Sequence, residues 1–406
     1  MTTTPPLRVL YITAGFPFPL SSGYLRHFHL LRELAPKHHL HLMSLVGPRF
    51  ESTHKEGLAD FVDQVTVFAR PTEGRGTTRL ARLLDPGRAD PASLELAAAV
   101  VSELDRGAVD VVVLSGKDTA RVAAVVRGRV PLVVDLCDAT SSRVTQEIEF
   151  AGLARRTGLA IRRRNLRRVE RQLVDLGDAL VTASSRDRDA LLEEGAPPRV
   201  RLAQVVPNGI DLDYWQRRSP RLGESVVFCG NLGYRPNADA ARRLVQDVMP
   251  LVWNERPSAE VVVVGREASP ALIRDLSGTG VTLTGSVPDV RPHLEGGAVF
   301  AAPLRMAAGI QNKLLEALAM ELPVITTSVA AAGLVAGLDQ PPLTVADTAA
   351  DAAAAILLQL GQVANGLRSP HAEGRSWVGD RFRWTTSGQT LADIVRNTEI
   401  REMASC

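Results

Sequence analysis

Short apolar runs rich in valine and leucine alternate with helical patterns along most of this 406-residue chain. The first half begins with a predicted strand at Leu7–Thr13 and a predicted helix at Leu25–Leu34, and a further helix is predicted at Ala92–Leu104. The other apolar runs predict strands at Leu40–Leu45, Val65–Phe68, Val109–Leu114, Pro131–Leu136, Ala179–Ala183 and Val200–Val206. Repeated strand-then-helix order favours parallel strands joined by crossover helices. The chain is therefore predicted to be an α/β protein with doubly wound parallel sheets.

A break in this alternation lies near the middle of the chain. Pro207-Asn208-Gly209-Ile210-Asp211 and the charged stretch after it have the composition of a linker. A second series follows, with strands at Ser225–Gly230, Glu260–Gly265 and Val281–Gly285 and helices at Asp239–Met249 and Pro270–Leu276. A chain of this length exceeds what one core usually holds. We therefore predict a first domain over 1–206, a linker over 207–224 and a second domain over 225–380.

The composition excludes several classes of protein. Apolar residues make up 45% of the chain, charged residues 23%, and the net charge is only +2, which is typical of a globular protein and not of a nucleic-acid-binding one. The three cysteines, Cys137, Cys229 and Cys406, have no metal-ligand spacing, so a reduced, cytoplasmic setting is expected. No apolar run is long enough to span a bilayer and no signal peptide is evident, so any membrane contact would be peripheral, at the inner face.

The segment Pro303–Met320 carries the most specific chemical signal. An apolar run at Ala298–Leu304 predicts a buried strand, a glycine turn follows, and a helix is predicted to begin near Asn312. Backbone N–H groups at such a helix start and the positive end of the helix dipole bind phosphate. Lys313 adds a full charge there, and Glu316, three residues later, is placed to accept hydrogen bonds from sugar or ribose hydroxyls. A surface helix with an i,i+3 ion pair is the alternative interpretation.

The surroundings of this segment carry a family resemblance. The segment is followed by the predicted strand Pro323–Thr327 and by Ala331-Ala332-Gly333-Leu334. This block resembles the nucleotide-sugar site of GT-B glycosyltransferases of the glycosyltransferase 4 family, and Gly309–Ala317 is similar to a subgroup associated with bacterial exopolysaccharide production. The resemblance implies two Rossmann-like domains facing a cleft, and a C-terminal segment 381–406 whose helix, near Gly388–Ile400, crosses back to the first domain.

The same resemblance implies the reaction. A sugar would pass from a nucleotide-diphosphate sugar to a glycan, a lipid-linked glycan or a small molecule, with retention of configuration and without a metal or other cofactor. The residues that it implies as donor contacts around the predicted helix start are Gly309, Ile310, Gln311, Asn312, Lys313 and Glu316. Lys313 is the first candidate for a catalytic role, since it would stabilise the leaving diphosphate.

This chain departs from the family pattern at three positions. Glu316 matches the second of two family glutamates, whereas the first would fall at Ala308. The usual basic pair that binds the diphosphate is replaced by Asn231 and Pro236. We therefore expect the phosphate-binding charge to be redistributed onto Arg235, as a candidate catalytic residue, and onto Arg305. Asn231 remains a candidate donor contact.

Further candidates follow predicted strands, at the edge where ligands bind in these folds. They are Gly23 in a glycine loop facing the donor, Arg26 on the acceptor side, Asp138 as a candidate catalytic residue and a sugar or acceptor contact, and Arg266 and Val287 in the loops that would hold the base. Ordinary loop or capping roles are the alternatives for each of them. Asp289 is predicted to be a helix N-cap, and Cys137 a buried thiol and not a nucleophile. The Gly- and Arg-rich segment Thr72–Asp90 is an unassigned loop.

A strongly basic helix is predicted in the first half. Eight arginines lie within Arg155–Arg171, and Leu166, Val169, Leu173 and Leu176 repeat at helical spacing. Such a helix could lie on an anionic bilayer and meet a lipid-linked acceptor. The alternative is an ordinary amphipathic helix that packs by its apolar stripe.

Two other functions are compatible with this architecture. Ala308 and the missing basic pair keep open a catalytically weakened scaffold that binds a partner. A nucleotide-sugar epimerase would need a set of carboxylates and histidines around the sugar, and the sequence does not present one.

Overall fold

The computed structural model describes residues 5–20, 24–71, 91–193, 202–278, 280–335, 340–366 and 370–403. The chain divides into two compact units. Unit 1 comprises Met1–Gly209 with Trp384–Cys406, and unit 2 comprises Ile210–Arg383. The predicted glycine Gly23 and the loop Thr72–Asp90 lie outside the described residues.

Unit 1 is built on a sheet of seven parallel strands. They are β1 Arg8–Thr13, β2 His39–Val46, β3 Gln64–Ala69, β4 Val111–Ser115, β5 Leu132–Cys137, β6 Ala179–Thr182 and β7 Leu202–Val205. Their order is β3-β2-β1-β4-β5-β6-β7, so the direction of winding reverses between β1 and β4. The carboxyl ends of strands at such a switch point form a crevice that can take a ligand.

Helices cover both faces of this sheet, which explains why the strands are apolar along their whole length. They are α1 Leu25–Leu34, α2 Pro91–Asp105, α3 Ala120–Val126, α4 Thr140–Glu149, α5 Leu153–Leu176 and α6 Ser185–Leu192, with 3₁₀ turns at Ser52–Leu58 and Lys117–Thr119. Leu30 and Leu31 of α1 pack against Tyr11 on one face. Leu96 of α2 and Leu173 of α5 pack into the cluster on the other face.

Unit 2 contains a second parallel sheet, of six strands. They are β8 Ser225–Cys229, β9 Val261–Val264, β10 Val281–Gly285, β11 Gly297–Ala302, β12 Val324–Thr326 and β13 Thr344–Val345, in the order β10-β9-β8-β11-β12-β13. Phe228 and Phe300, on the adjacent strands β8 and β11, stack at a centroid distance of 6.4 Å in its core. Two doubly wound parallel sheets confirm the predicted fold class.

The helices of unit 2 place the predicted site residues. They are α7 Arg235–Arg243, α8 Met249–Glu255, α9 Pro270–Leu276, α10 Arg291–Glu295, α11 Asn312–Ala319, α12 Ser328–Ala331, α13 Ala349–Ala364 and α14 Ala372–Arg381, with a π turn at Leu244–Val248. The prediction of one helix over Asp239–Met249 was wrong at its start, because Pro236 in the first turn presets helical geometry. Arg235 is therefore the first residue of a helix and not a loop residue.

The last helix, α15 Trp384–Met403, belongs to unit 1 and begins four residues before the predicted Gly388. Its residues Leu391, Ile394 and Val395 join the cluster that contains Leu30 and Leu34 of α1. A Cβ atom on Gly388 would lie 2.1 Å from Cβ of Glu33, so the two helices can approach this closely because position 388 is glycine. None of the described helices combines the length and hydropathy needed to cross a membrane.

Candidate functional site

The loops that follow β8 and β9 lock together in unit 2. Gly230 N–H donates to Val264 O and Leu232 N–H donates to Arg266 O, both at 2.9 Å. A Cβ atom on Gly265 would lie 2.1 Å from Gly230 O, so the contact requires glycine at position 265. The carboxyl ends of two neighbouring strands are thereby held rigidly at the edge of the sheet, where ligands bind in this class of fold.

Asn231 uses its side chain to shape this loop. Its Oδ1 accepts a hydrogen bond from Gly233 N–H at 2.8 Å, and its Nδ2 donates to Glu267 Oε2 at 3.2 Å. Glu267 has a positive φ of 63°, a conformation that costs energy for a non-glycine residue. The predicted donor contact at Asn231 therefore lies in the loop as expected, but its side chain is already committed to the turn.

The turn between β11 and α11 has the geometry that the sequence suggested. Gly309 has a φ of 63°, and a Cβ atom on Gly333 would lie 2.2 Å from its carbonyl oxygen, so two glycines allow the chain to fold back tightly. The helix begins at Asn312, as predicted, with Gln311 at the N-cap position. Gln311 does not cap the helix with its side chain, because its Nε2 donates to Ala308 O at 2.9 Å. Ile310, between them, is buried.

Lys313 lies in the first turn of α11 and is held by a residue that the sequence did not reveal. Its Nζ donates to Oδ1 of Asn237 at 2.6 Å. Asn237, in the first turn of α7, is 6% exposed, and its Nδ2 donates to Asn231 O at 2.9 Å. Burial lowers the pKa of Lys313 to about 8, and the Glu316 carboxylate opposes this effect. The loop after β8 and the helix after β11 are thus joined through one amide side chain.

Glu316 lies one turn further along α11 and is partly buried. Burial raises its pKa to about 7, while Lys313 acts in the opposite direction. The described residues include no hydrogen-bond donor to its carboxylate and no direct ion pair between it and Lys313, so the simple surface ion pair was the wrong alternative. Burial also raises the pKa of the neighbouring Cys229 thiol.

The guanidinium group of Arg305, which the sequence assigned to phosphate binding, is paired with the carboxylate of Asp239. Its Nε lies 2.9 Å from Oδ2 of Asp239, and its Nη2 is 2.5 Å from Oδ1 of the same carboxylate. This bidentate pair already offsets the charge that was assigned to phosphate binding. Arg305 therefore anchors α7 to the turn after β11, and its assignment to phosphate binding stays a prediction. Arg235, four residues before Asp239 at the start of the same helix, is half-buried.

The two loops predicted to hold the base lie after β9 and β10. Arg266 lies two residues after β9, and Val287 lies two residues after β10; both side chains are half-buried. Asp289 is not the N-cap of α10, because Val290 occupies that position. Its Oδ1 instead accepts the Arg291 N–H at 2.9 Å, and the hydrogen bonds from the Arg291 guanidinium lower its pKa.

Arg26 in unit 1 has a structural role. It is 5% exposed, and its Nε lies 2.9 Å from Oδ2 of the fully buried Asp135. Its Nη1 donates to Val206 O at 2.7 Å and to Asn208 Oδ1 at 3.0 Å. These bonds tie α1 to β5 and to the end of the last strand. The predicted acceptor contact at Arg26 is corrected, because its donors are directed into the unit.

Asp138 lies directly after β5 within a cluster of partly buried charges. Its Oδ1 accepts a hydrogen bond from Thr140 Oγ1 at 2.6 Å and lies 3.4 Å from Nζ of Lys117. Burial alone would raise the pKa of Asp138, but Lys117 and Thr140 together lower it. Lys117 also lies 3.5 Å from Oε1 of Glu170. Asp138 is thus an ionised carboxylate at the edge of the sheet, and the sequence did not reveal its partner Lys117.

Cys137, the last residue of β5, has a strained backbone with a φ of 56°. Burial raises the pKa of its thiol to about 12, so the thiolate is not populated at neutral pH. A nucleophilic role requires the thiolate. This agrees with the interpretation of Cys137 as a structural residue. Among the described residues there is also no group of three or more His, Cys, Asp or Glu side chains that could hold a metal ion.

Two family models match the chain. The model described as glycosyl transferase 4-like domain matches residues 46–209, and the model described as glycosyl transferases group 1 matches residues 223–362. The GDP-mannose-dependent alpha-(1-6)-phosphatidylinositol monomannoside mannosyltransferase of Mycobacterium tuberculosis is 29% identical over 259 residues. This match spans 57% of the present chain and 65% of that enzyme, slightly less than two thirds of its length.

Solved structures share the fold. Sucrose-phosphate synthase from Thermosynechococcus elongatus superposes with a TM-score of 0.71 at 15% identity, covering 98% of this chain and 100% of that one. HepE from Anabaena, in complex with UDP and glucose, superposes with a TM-score of 0.65 at 16% identity, covering 96% and 99%. Because the identities are low, these two matches establish the fold and not the substrate. With both family models and this architecture, the chain belongs to the GT-B glycosyltransferases of the glycosyltransferase 4 family.

Proposed function

We propose that the chain transfers a hexosyl group from a nucleotide-diphosphate sugar to a hydroxyl-bearing acceptor. The observation that carries the proposal is the placement of Lys313 at the start of α11, beside a tight glycine turn at the edge of a parallel sheet. Negative charge grows on the diphosphate as the sugar leaves. A desolvated ammonium group and helix N-terminal amides stabilise that charge more strongly than bulk water would.

Glu316 supports the same proposal. Its carboxylate is partly buried, one turn from Lys313, and receives no hydrogen bond from a described side chain. A buried carboxylate without donors is costly unless a ligand supplies them. Hydroxyl groups of the donor's ribose or sugar are suitable donors, so we assign Glu316 to the binding of the donor.

The relatives differ in the nucleotide that their names and structures contain. The mycobacterial relative is named for GDP-mannose and for a phosphatidylinositol mannoside, whereas HepE is described in complex with UDP, glucose and UDP-glucose. We propose retention of configuration and independence from metals on the strength of family membership. A panel of GDP- and UDP-sugars, with release of nucleotide diphosphate as the readout, tests the transfer. The anomeric configuration of the product and the effect of a chelator test the two finer statements.

Contact with an anionic membrane is part of the proposal. Leu153, the first residue of α5, is 83% exposed, and Phe150 and Ile161 are 45% and 41% exposed. They accompany the arginines of the same helix, and apolar groups beside basic ones suit the surface of an anionic bilayer. The apolar stripe itself packs inward, with Leu173 buried and Leu166, Val169 and Leu176 partly buried.

Sedimentation with vesicles tests this contact. Binding should require anionic lipid and should weaken as salt rises, because exposed charges are screened beyond about 8 Å at physiological ionic strength. Leu153→Ser combined with Arg162→Gln and Arg163→Gln should release the protein. Leu358→Ser, at a similarly exposed leucine of unit 2, serves as the control. Equal binding to neutral vesicles would rule the membrane contact out.

A binding scaffold with weakened catalysis is the second candidate function. It is favoured by Ala308, Asn231 and Pro236 at positions where relatives carry charge, and by the engagement of Arg305 with Asp239. A scaffold would bind a nucleotide sugar without releasing nucleotide diphosphate. Thermal shift measures the binding, and product release measures the turnover, so together they separate the two functions.

A further inference from the structure

Three helices of unit 1 border an open cavity of about 890 Å³. Its volume falls within the usual range for sites that take small molecules. The lining residues are Ser141 of α4, Ile161, Arg164, Asn165, Arg167, Arg168, Glu170 and Arg171 of α5, and Ala190 and Leu191 of α6. All of these lining residues belong to unit 1.

The four arginines form one face of α5. Arg164, Arg167, Arg168 and Arg171 are spaced three, four and seven residues apart, and such residues stand above one another on a helix. Leu159 and Leu173, by contrast, are buried in the apolar clusters of the unit. Packing therefore fixes how the helix is rotated about its axis, and the arginine face is turned away from the apolar clusters. All four arginine side chains are exposed and line the solvent-facing side of the cavity.

The charges that line the cavity do not cancel. Glu170 is the only carboxylate among the lining residues that the structure describes, and it is 2% exposed. Its Oε1 accepts the Ser141 N–H at 3.1 Å and lies 3.5 Å from Nζ of Lys117, so its charge is offset from within the unit. Arg164 and Arg168 form no ion pair with any described residue. The cavity consequently carries an excess of positive charge.

We propose that this cavity binds a ligand carrying a phosphate or diphosphate group, with Arg164 and Arg168 as its main contacts. Guanidinium groups match phosphate oxygens in bidentate geometry, which favours phosphate over a halide or other spherical anion. Ala190 and Leu191 add an apolar wall beside the arginines, which suits the organic part of a phosphorylated ligand. Two sources share this chemistry, a phospholipid headgroup and a soluble phosphorylated compound.

The test uses the full chain with pyrophosphate as the probe. Both compared variants carry Lys313→Ala, so that an anion bound in unit 2 does not contribute. The pocket variant is Arg164→Gln/Arg168→Gln. The matched control is Arg155→Gln/Arg162→Gln, which changes the net charge equally on the same helix but at residues outside the cavity lining. At physiological salt, calorimetric titration should show that the pocket variant binds pyrophosphate at least tenfold more weakly than Lys313→Ala alone. The control should bind it less than twofold more weakly than Lys313→Ala alone.

Equal weakening in the two variants would overturn the proposal, because it would mean general attraction to a basic helix. Binding that is unaffected in both would overturn it as well. Arg164→Lys/Arg168→Lys adds a second comparison, since it keeps the charge but loses the bidentate geometry and should bind with an intermediate affinity.

Vesicles distinguish the two sources of the phosphate. Vesicles of phosphatidic acid and of phosphatidylserine are compared at equal surface charge. If the ligand is a lipid headgroup, binding to phosphatidic acid exceeds binding to phosphatidylserine, and only the pocket variant loses the excess. If the ligand is soluble, the excess is absent, while the loss of pyrophosphate binding in the pocket variant remains. If the vesicles show no excess binding to phosphatidic acid and the pocket variant also binds pyrophosphate as well as the control does, the proposed site is rejected.

Discussion

The side-chain oxygen of Asn237 accepts a 2.6 Å hydrogen bond from the ammonium group of Lys313. A neutral acceptor fixes the position of the amine without cancelling its charge, which a carboxylate at the same distance would do. Many buried lysines are paired with a carboxylate, which neutralises the ammonium charge within the protein. In this chain the charge of Lys313 stays available to an anionic ligand, and Asn237 acts as its positioning residue.

Asn237→Asp should therefore weaken donor binding at pH 7 and shift its pH dependence. A carboxylate beside Lys313 favours the ammonium form, so the alkaline decline in donor affinity, expected near pH 8 in the parent protein, should move to higher pH. Asn237→Leu removes the hydrogen bond and should move the decline to lower pH. Affinity for nucleotide diphosphate across pH 6–10 is the measurement. A purely structural role for Asn237 would change stability and leave the position of the decline unchanged.

Lys313→Met should separate activity from stability. Loss of the ammonium group should lower kcat/KM by a factor on the order of 10² or more, as for the removal of other charge-stabilising groups. Burial already disfavours the ammonium form in the native state, so the free energy of unfolding should stay the same or increase. Steady-state kinetics and denaturant unfolding measure the two quantities. A large loss of stability together with full activity per folded molecule would contradict this assignment.

Glu316→Gln should raise KM for the donor more than it lowers kcat, because the carboxylate is assigned to hydroxyl binding. It should also move the alkaline decline in donor affinity to lower pH. In the parent protein the negative charge of Glu316 raises the pKa of Lys313. The neutral amide of the variant cannot raise it. Glu321→Gln, at a half-buried turn after the same helix, is the control. Unchanged donor affinity in Glu316→Gln would remove this residue from the site.

Arg235→Gln and Arg305→Gln test whether these arginines replace the family's usual basic pair. If they share one diphosphate, the double variant should lose more donor affinity than the two single variants predict together. Arg305→Gln should also destabilise unit 2, because it leaves the carboxylate of Asp239 without its partner. Arg242→Gln is the control. Arg242 lies on α7, as Arg235 does, and its half-exposed side chain is paired with Asp275 of α9. Small additive losses of affinity would assign Arg305 to structure alone.

His27→Gln should reduce the sensitivity of unit 1 to acid. His27 is buried between Tyr11 and Ser115, and burial lowers its pKa to about 4 from an ordinary value of 6.5. Between pH 6.5 and pH 4 the unfolded chain binds more protons than the native one, so the free energy of unfolding falls as the pH drops. His27 lowers the free energy of unfolding by about 3 kcal/mol across this pH range, and it causes no such loss above pH 6.5.

Denaturant unfolding at pH 7 and pH 4.5 measures this effect. The pH-dependent loss should be smaller in His27→Gln than in the parent protein, although His38, whose pKa burial also lowers to about 4, retains part of it. His39→Gln, at an exposed position, should behave like the parent. An identical acid sensitivity in all three proteins would show that His27 does not control it.

Local patterns predicted the elements because their causes are local. The helix α1 has the predicted bounds, and α11 begins at Asn312 as expected, since an apolar period of 3.6 and a preceding glycine act within a few residues. The parallel sheets follow from the same patterns, because fully apolar strands separated by helices have few other ways to bury their faces. Asn237 was missed because nothing in its own neighbourhood distinguishes it from a helix-start residue.

The partners of the charged residues were decided by the tertiary structure. Lys313 and Asn237 are 76 residues apart, Arg305 and Asp239 are 66 apart, and Arg26 and Asp135 are 109 apart. Which of these arginines remains available to a ligand depends on the acid that the strand order places opposite it, and sequence spacing does not encode that order. The sequence determined which residues carry charge near the carboxyl ends of the strands. The packing of loops and helices determined which of those charges the protein uses for its own structure, because a buried charge requires a partner wherever the fold supplies one.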